Sequence, residues 1–167
     1  LPGEVITEGD SDWAGSEDAR SSQCCVLMFG SHCLEVLTSN QTVVATASAI
    51  AELLALNKAA ATSILARNIL EEMGVSVFAV AGTDSSAAKG ISQRVGSGRV
   101  RHLRIQDLWI QERVREKDVE VRKVDTETNR GDIGTKYLEP TRITSLLRLM
   151  GLTTRGQEVK AMRATSR

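Results

Sequence analysis

Aromatic residues make up only 3% of this 167-residue chain: two tryptophans, two phenylalanines and one tyrosine. The core must therefore be built from Ala, Val, Ile and Leu. Only two prolines are present, and hydrophobic and charged residues account for 41% and 25% of the chain, close to globular averages. These proportions exclude a wholly disordered chain, a collagen and a coiled-coil rod, and the length predicts one domain rather than two.

No apolar run approaches the roughly 20 residues needed to span a bilayer, so we expect no membrane-spanning segment. Cysteines are also few: Cys24, Cys25 and Cys33 form an odd set without a CxxC pattern, which argues against a disulfide framework or a zinc site. Cys24 and Cys25 are adjacent and would point to opposite faces of a strand. We interpret the cysteines as small buried thiols of an intracellular protein.

The net charge is zero, but the charges are unevenly spread along the sequence. Residues 1–84 carry 11 acidic and 3 basic side chains, whereas residues 85–167 carry 10 acidic and 18 basic ones. This asymmetry either places a basic binding surface beside an acidic site or lets the two halves attract each other within one fold. Zero net charge argues against a general polyanion-binding protein.

Hydrophobic patterns predict an α/β fold around one sheet. Strands are predicted over residues 3–9, 23–29, 32–38, 75–81 and 119–124, the second and third forming a hairpin. Helices are predicted over residues 46–73, from Asp84 or Ser85 onward, over 102–116 and from Pro140 to Gly151. Residues 129–138 are a weaker helix candidate because they contain two glycines. We divide the chain into a domain of residues 1–151 and a basic tail of residues 152–167.

Two carboxylates stand out from the pattern. Glu52 is the only charged residue between Glu35 and Lys58, and it faces either the sheet or a site, or else lies on the exposed side of its helix. Asp84 follows a predicted buried strand and precedes a helix. It therefore either caps that helix or lines a ligand site at the strand end.

Five segments, in order, resemble the ribonuclease H domain of copia-type retrotransposon polyproteins: Asp10 to Gly15, Ala51-Glu52-Leu53, Thr83-Asp84-Ser85, Arg101-His102-Leu103 and Asn129 to Lys136. The resemblance extends over residues 3–151. It implies a ribonuclease H-like fold, with a five-stranded mixed sheet and helices on both faces. It also implies four catalytic carboxylates that bind metal: Asp10, Glu52, Asp84 and Asp132.

A member of this family would hydrolyse the RNA strand of an RNA–DNA hybrid with Mg²⁺ or Mn²⁺. Clustered carboxylates suit that chemistry, because two divalent ions about 3.5–4 Å apart can activate a water and stabilise the leaving oxygen, and Mg²⁺ prefers hard oxygen ligands. Candidate substrate contacts are Arg20, Arg99, Arg101 and His102. For His102, a structural or helix-capping role is the alternative.

The sequence departs from the family pattern mostly at positions that are usually aromatic or basic. Glu8 replaces an aromatic residue before Asp10, Arg20 stands where the family usually has two arginines, and Arg130-Gly131 replaces an apolar pair before Asp132. Aromatic and basic groups are the kinds that grip nucleic acid. Two other hypotheses therefore stay open: a repurposed, weakly active or inactive module that binds other protein subunits, and an inert fragment of a decaying element.

Overall fold

Five strands form one mixed sheet in the computed structural model, which describes residues 2–14, 19–96, 98 and 108–153. The strands are β1 (Glu4–Ser11), β2 (Ser22–Phe29), β3 (His32–Asn40), β4 (Phe78–Thr83) and β5 (Glu120–Lys123). Their order across the sheet is β3-β2-β1-β4-β5. The β1–β2 and β2–β3 pairs are antiparallel, and the β1–β4 and β4–β5 pairs are parallel. The predicted hairpin and mixed sheet are confirmed.

The helices are α1 (Ser48–Glu72), α2 (Ser86–Ser92), α3 (Trp109–Arg115) and α4 (Pro140–Leu149), with 3-10 helices at Thr126–Thr128 and Arg130–Gly134. α1 is the crossover that allows β4 to pair in parallel with β1. It ends in a Schellman motif, in which Gly74 has a φ of +82° and the Val75 N–H donates to the Leu70 carbonyl at 2.8 Å. Because Val75 belongs to this cap, the next strand begins at Phe78 and not at the predicted Val75.

Helical segments cover both faces of the sheet. On one face, Cys25 of β2 packs with Leu53 of α1 in a cluster that also includes residues of α2 and α3. On the other face, Cys24 packs with Met150, at the end of α4, and with Ile133 of the second 3-10 helix. The two adjacent cysteines therefore point to opposite faces, as strand alternation predicts, and the predicted coverage of both faces is confirmed.

α1 is the one helix in the described ranges that is long and apolar enough to cross a bilayer, with a mean hydropathy of 1.4 over an 18-residue window. In this fold it is a core helix, whose residues Leu53 and Leu56 are fully buried against the sheet. The Ser63 hydroxyl lies 2.7 Å from Thr7 Oγ1 and 2.6 Å from the Val80 carbonyl oxygen. These contacts fix the rotation of α1 over β1 and β4, and so decide which of its side chains reach the ends of those strands.

The remaining predictions concern the C-terminal half of the chain. β5 lies within the predicted strand over residues 119–124, and α3 forms the C-terminal part of the predicted helix over residues 102–116. Residues 102–107 and 154–167 lie outside the described residues. The division into a domain and a basic tail therefore stays a prediction.

Candidate metal centre

Asp10 lies near the end of β1, the central strand, and is only 1% exposed. Its Oδ1 accepts a hydrogen bond from Asn129 Nδ2 at 3.3 Å and lies 3.4 Å from Lys136 Nζ, while its Oδ2 accepts from the Thr135 hydroxyl. All three partners belong to residues 129–136, which pack on the face of the sheet opposite α1. That segment orients the Asp10 carboxylate.

Asp84 directly follows β4, which ends at Thr83. Because β1 and β4 are parallel neighbours, their carboxyl ends lie side by side, at the usual position of ligands in α/β sheets. The Ser85 hydroxyl accepts a hydrogen bond from the Ala88 N–H at 3.2 Å and caps α2. The interpretation of Asp84 as a simple helix cap is therefore wrong, and its carboxylate lies beside Asp10 instead.

Glu52 lies in the second turn of α1 and completes the cluster. One oxygen from each of Asp10, Glu52 and Asp84 lies within 4.8 Å of the other two. The alternative that Glu52 lies on an exposed helix face is thus wrong. Its Oε2 atom is buried and has no hydrogen-bond partner among the described residues. Three of the four carboxylates predicted from the sequence therefore meet at one end of the sheet.

The electrostatics of the cluster follow from burial and from like charges. Burial, followed by the negative charges of Asp10 and Asp84, raises the pKa of Glu52 from the ordinary 4.5 to about 8. Burial also raises the pKa of Asp10, although the Thr135 hydrogen bond and the Lys136 charge oppose it. A carboxyl group with the pKa of Glu52 is largely protonated at neutral pH. It must release that proton to ligate a metal.

We expect the metal-free protein to lose stability as the pH rises from about 5 to about 8. In this range folded Glu52 keeps a proton that the unfolded chain has released, so the folded state binds more protons and the contribution of Glu52 to stability falls by at most about 1.4 kcal/mol per pH unit. Urea unfolding in a chelator at several pH values would measure this. Glu52→Gln should show a shallower fall, because an amide does not ionise, and equal slopes in the two proteins would contradict the assignment.

Asp132 lies in the second 3-10 helix and is 3% exposed. Its Oδ1 is 2.5 Å from Lys136 Nζ, and its Oδ2 is 3.2 Å from Arg142 Nη2. Because Lys136 also contacts Asp10, the two carboxylates cannot be farther apart than the sum of their distances to this ammonium. Asp132 thus borders the cluster without being one of its three converging carboxylates. Its role as a metal ligand stays a prediction.

Two glycines allow the second 3-10 helix to lie flat on the sheet. A Cβ atom on Gly131 would lie 2.7 Å from the Asp10 Cβ, and one on Gly134 would lie 2.6 Å from Thr38 Cγ2 and 2.7 Å from Cys24 Sγ. Larger residues would hold the segment away from the strands. This close approach explains why the helix candidate over residues 129–138 forms only the short Arg130–Gly134 helix.

Glu8 and Arg130, two of the departures from the family pattern, are partners in the fold. The Arg130 N–H donates to Glu8 Oε2 at 2.8 Å, and its guanidinium donates to Glu8 Oε1. Glu8 is 4% exposed; burial raises its pKa, and the Arg130 contacts oppose that effect. An ion pair at this position thus ties β1 to the segment carrying Asp132.

The predicted substrate contacts are placed only in part. Arg20 is exposed and lies just before β2. Arg99, Arg101 and His102 lie outside the described residues, so their roles stay predictions. Sequence reasoning also missed Lys136, although it belongs to the quoted segment Asn129 to Lys136. The signal was its position four residues after Asp132, which is the spacing of a helical ion pair.

No protein-family model matches the chain, and no curated protein matches it. Similar solved structures do exist. LC11-RNase H1, isolated from compost by a metagenomic approach, is 17% identical with a TM-score of 0.60, over 78% of this chain and 91% of that one. The fold is ribonuclease H-like. LC11-RNase H1 in complex with an RNA/DNA hybrid is 16% identical with a TM-score of 0.54, over 78% and 93% of the two chains.

The ribonuclease H-like domain offers donors that suit a divalent cation. Three carboxylates converge, and hard oxygen ligands of this kind are those that Mg²⁺ and Mn²⁺ take in proteins. The unpartnered Glu52 Oε2 is the clearest sign, because a buried polar atom without a partner is costly and ligation would satisfy it. The Ser11 hydroxyl, at the end of β1, is also buried; it lies close enough to the Glu52 carboxyl to lower the pKa of that group, but neither it nor Glu52 Oε2 makes a hydrogen bond of good geometry among the described residues. The residues of the site thus fit the metal that the resemblance implies.

Proposed function

We propose that this chain is a divalent-metal-dependent ribonuclease H that hydrolyses the RNA strand of an RNA–DNA hybrid. The observation that carries the proposal is the convergence of Asp10, Glu52 and Asp84 within 4.8 Å, with Glu52 Oε2 left unpartnered. The fold supports it, since LC11-RNase H1 has been solved in complex with an RNA/DNA hybrid. The substrate and the buried thiols of Cys24 and Cys25 suit an intracellular protein.

In this proposal, some residues of the site ligate the metal and others orient those ligands. Asp10, Glu52 and Asp84 would hold a divalent cation, Mg²⁺ or Mn²⁺, which when bound polarises the phosphate and lowers the pKa of a ligated water. Asn129 and Thr135 keep the Asp10 oxygens in place through their hydrogen bonds, in the manner of partners that orient metal ligands. Glu52 would have to give up its proton to ligate the cation, because a carboxyl group binds a metal as the anion.

We further infer that the chain derives from a copia-type retrotransposon polyprotein. This origin rests on the five ordered segments from Asp10 to Lys136 that resemble the ribonuclease H domain of that family. Asp10, Glu52 and Asp84, the three carboxylates that converge, each lie within one of these segments. Segments that are far apart in the sequence thus each supply one carboxylate to the same cluster. Chance matches would not be expected to do so, and we therefore favour common descent over coincidence.

A specific observation favours a second candidate, a repurposed module that binds protein subunits without cleaving nucleic acid. Lys136 and Arg142 already neutralise Asp132, and Lys136 also contacts Asp10. Buried carboxylates held by the protein's own cations are stable without metal, since paired charges offset much of their desolvation cost. Such a chain would retain the fold and lose the need for a divalent ion.

The deciding experiment incubates the purified protein with end-labelled RNA–DNA hybrid in millimolar Mg²⁺ or Mn²⁺. We expect cleavage of the RNA strand, none with chelator, and none of the matched DNA duplex, because contacts to the 2′-OH distinguish RNA from DNA. A folded protein that leaves the hybrid intact with both metals would overturn the proposal and favour the repurposed module. Binding of hybrid that weakens steeply with salt would accompany the expected result.

A further inference from the structure

The Lys136 ammonium lies between two buried carboxylates of the site. Its Nζ is 2.5 Å from Asp132 Oδ1 and 3.4 Å from Asp10 Oδ1. The Lys136 side chain is 39% exposed, whereas those of Asp10 and Asp132 are 1% and 5% exposed. A single, partly exposed ammonium therefore lies between two buried carboxylates and contacts both.

The backbone fixes Lys136 in that position. The Lys136 N–H donates to the Asp132 carbonyl at 3.1 Å, and the preceding Thr135 hydroxyl donates to Asp10 Oδ2. The other oxygen of Asp132 is bound by Arg142 at 3.2 Å. Both oxygens of Asp10 and both oxygens of Asp132 thus have protein partners on this side of the site.

The opposite side of Asp10 is different. There Glu52 and Asp84 converge on it, and Glu52 Oε2 has no partner among the described residues. Within the described residues, the ion pairs of the site fall on the Asp10–Asp132 side: Lys136 contacts both of these carboxylates, and Arg142 contacts Asp132. A second divalent ion would have to share Asp10 and Asp132 with a fixed ammonium and would be repelled by it.

We propose that Lys136 is the resident cation of the Asp10–Asp132 side, and that without nucleic acid this chain binds one divalent ion, at Asp10, Glu52 and Asp84. This inference rests on the proposed function in that it takes those carboxylates to be the metal site. It does not depend on cleavage. Removal of the ammonium opens Asp10 and Asp132 to a second ion.

The test is calorimetric titration of the metal-free protein with Mn²⁺, compared with Lys136→Met, Lys136→Arg and Lys117→Met. Lys117 is an exposed residue before β5, at the end of the sheet away from Asp84, so its substitution controls for the loss of one charge. We expect one ion per chain in the parent protein, in Lys136→Arg and in Lys117→Met, and two ions in Lys136→Met. Mn²⁺ should also raise the melting temperature of Lys136→Met more than that of the parent protein.

Two ions in the parent protein would overturn the inference, and this outcome needs no variant to fold. One ion in folded Lys136→Met would also overturn it, because Lys136 would not then be what limits occupancy. No ion in the parent protein would overturn it together with the proposed metal site. One bound ion without hybrid cleavage would refute the nuclease and leave this inference standing, whereas cleavage with two ions bound would do the reverse.

Discussion

Asp10→Asn is expected to abolish hydrolysis of the hybrid and to remove divalent-cation binding. The substitution replaces the central anionic ligand by a neutral amide, and its NH₂ group would face the donors of Thr135 or of Asn129 and Lys136. We expect the rate to fall by more than the roughly 100-fold that loss of an outer partner of a ligand can cost. Single-turnover cleavage and Mn²⁺ titration measure the two effects, and circular dichroism checks that the variant folds.

Asp12→Asn is the matched control. Asp12 is two residues away, but its Oδ1 accepts a hydrogen bond from the Ser22 N–H at the start of β2, and it does not belong to the carboxylate cluster. An asparagine oxygen can accept the same hydrogen bond, so cleavage and metal binding should match the parent protein. Equal losses in the two variants would refute the assignment of the catalytic role to the first of these two aspartates.

Local patterns in the sequence were sufficient for the parts of the fold that depend on continuous apolar segments. β2 was predicted, with β3 as its hairpin partner, because it is a continuous apolar run, and α1 was predicted because Ala and Leu dominate it. Gly74 marks the end of α1 by its positive φ. Glu52 drew attention for a physical reason, as a lone charge in an apolar helix. Its direction stayed open at that stage, and the structure decides it: its neighbours Ala51 and Leu53 are fully buried, and its carboxyl lies with those of Asp10 and Asp84.

β1 was harder to predict because it carries charge on the side that faces the 129–136 segment. Glu8 and Asp10 are two positions apart, so both side chains lie on that face of β1. Two buried carboxylates on one face are unusual for the central strand of a sheet. They are tolerated because Arg130 and Lys136, from the C-terminal half, pair with them. Acidic residues of the N-terminal half thus pair with basic residues of the C-terminal half within one fold. This was one of the two interpretations of the uneven charge distribution.

These partners could not be found from local spacing. Glu8 and Arg130 are separated by 122 positions in the chain, and no periodicity links residues so far apart. Each residue, taken alone, is only a departure from the pattern that the sequence resembles, whereas together they stabilise the contact between β1 and the 3-10 helix. Lys136 and Asp10 are likewise separated by 126 positions, so their contact could not be predicted from the sequence. The contact of Lys136 with Asp132, by contrast, follows from a four-residue spacing.

Gly131→Ala is expected to lower the free energy of unfolding by about 1–3 kcal/mol, the usual cost of overpacking a buried site. The added Cβ would lie 2.7 Å from the Asp10 Cβ and 2.9 Å from the Asp10 backbone nitrogen, and neither atom can move without shifting the central strand. Relief requires the 3-10 helix to withdraw, which would pull Asn129 and Thr135 off the Asp10 carboxylate. We therefore expect weaker Mn²⁺ binding as well as a lower midpoint in urea.

Gly90→Ala provides the control for this substitution. Gly90 lies inside α2, and a Cβ there would meet no atom within 4 Å. Alanine is favoured over glycine in a helix by about 1 kcal/mol, so this variant should be slightly more stable and bind Mn²⁺ normally. If Gly131→Ala unfolded at the parent midpoint with parent metal affinity, the 3-10 helix could move without cost. Its close approach to β1 would then not be what holds the Asp10 carboxylate in place.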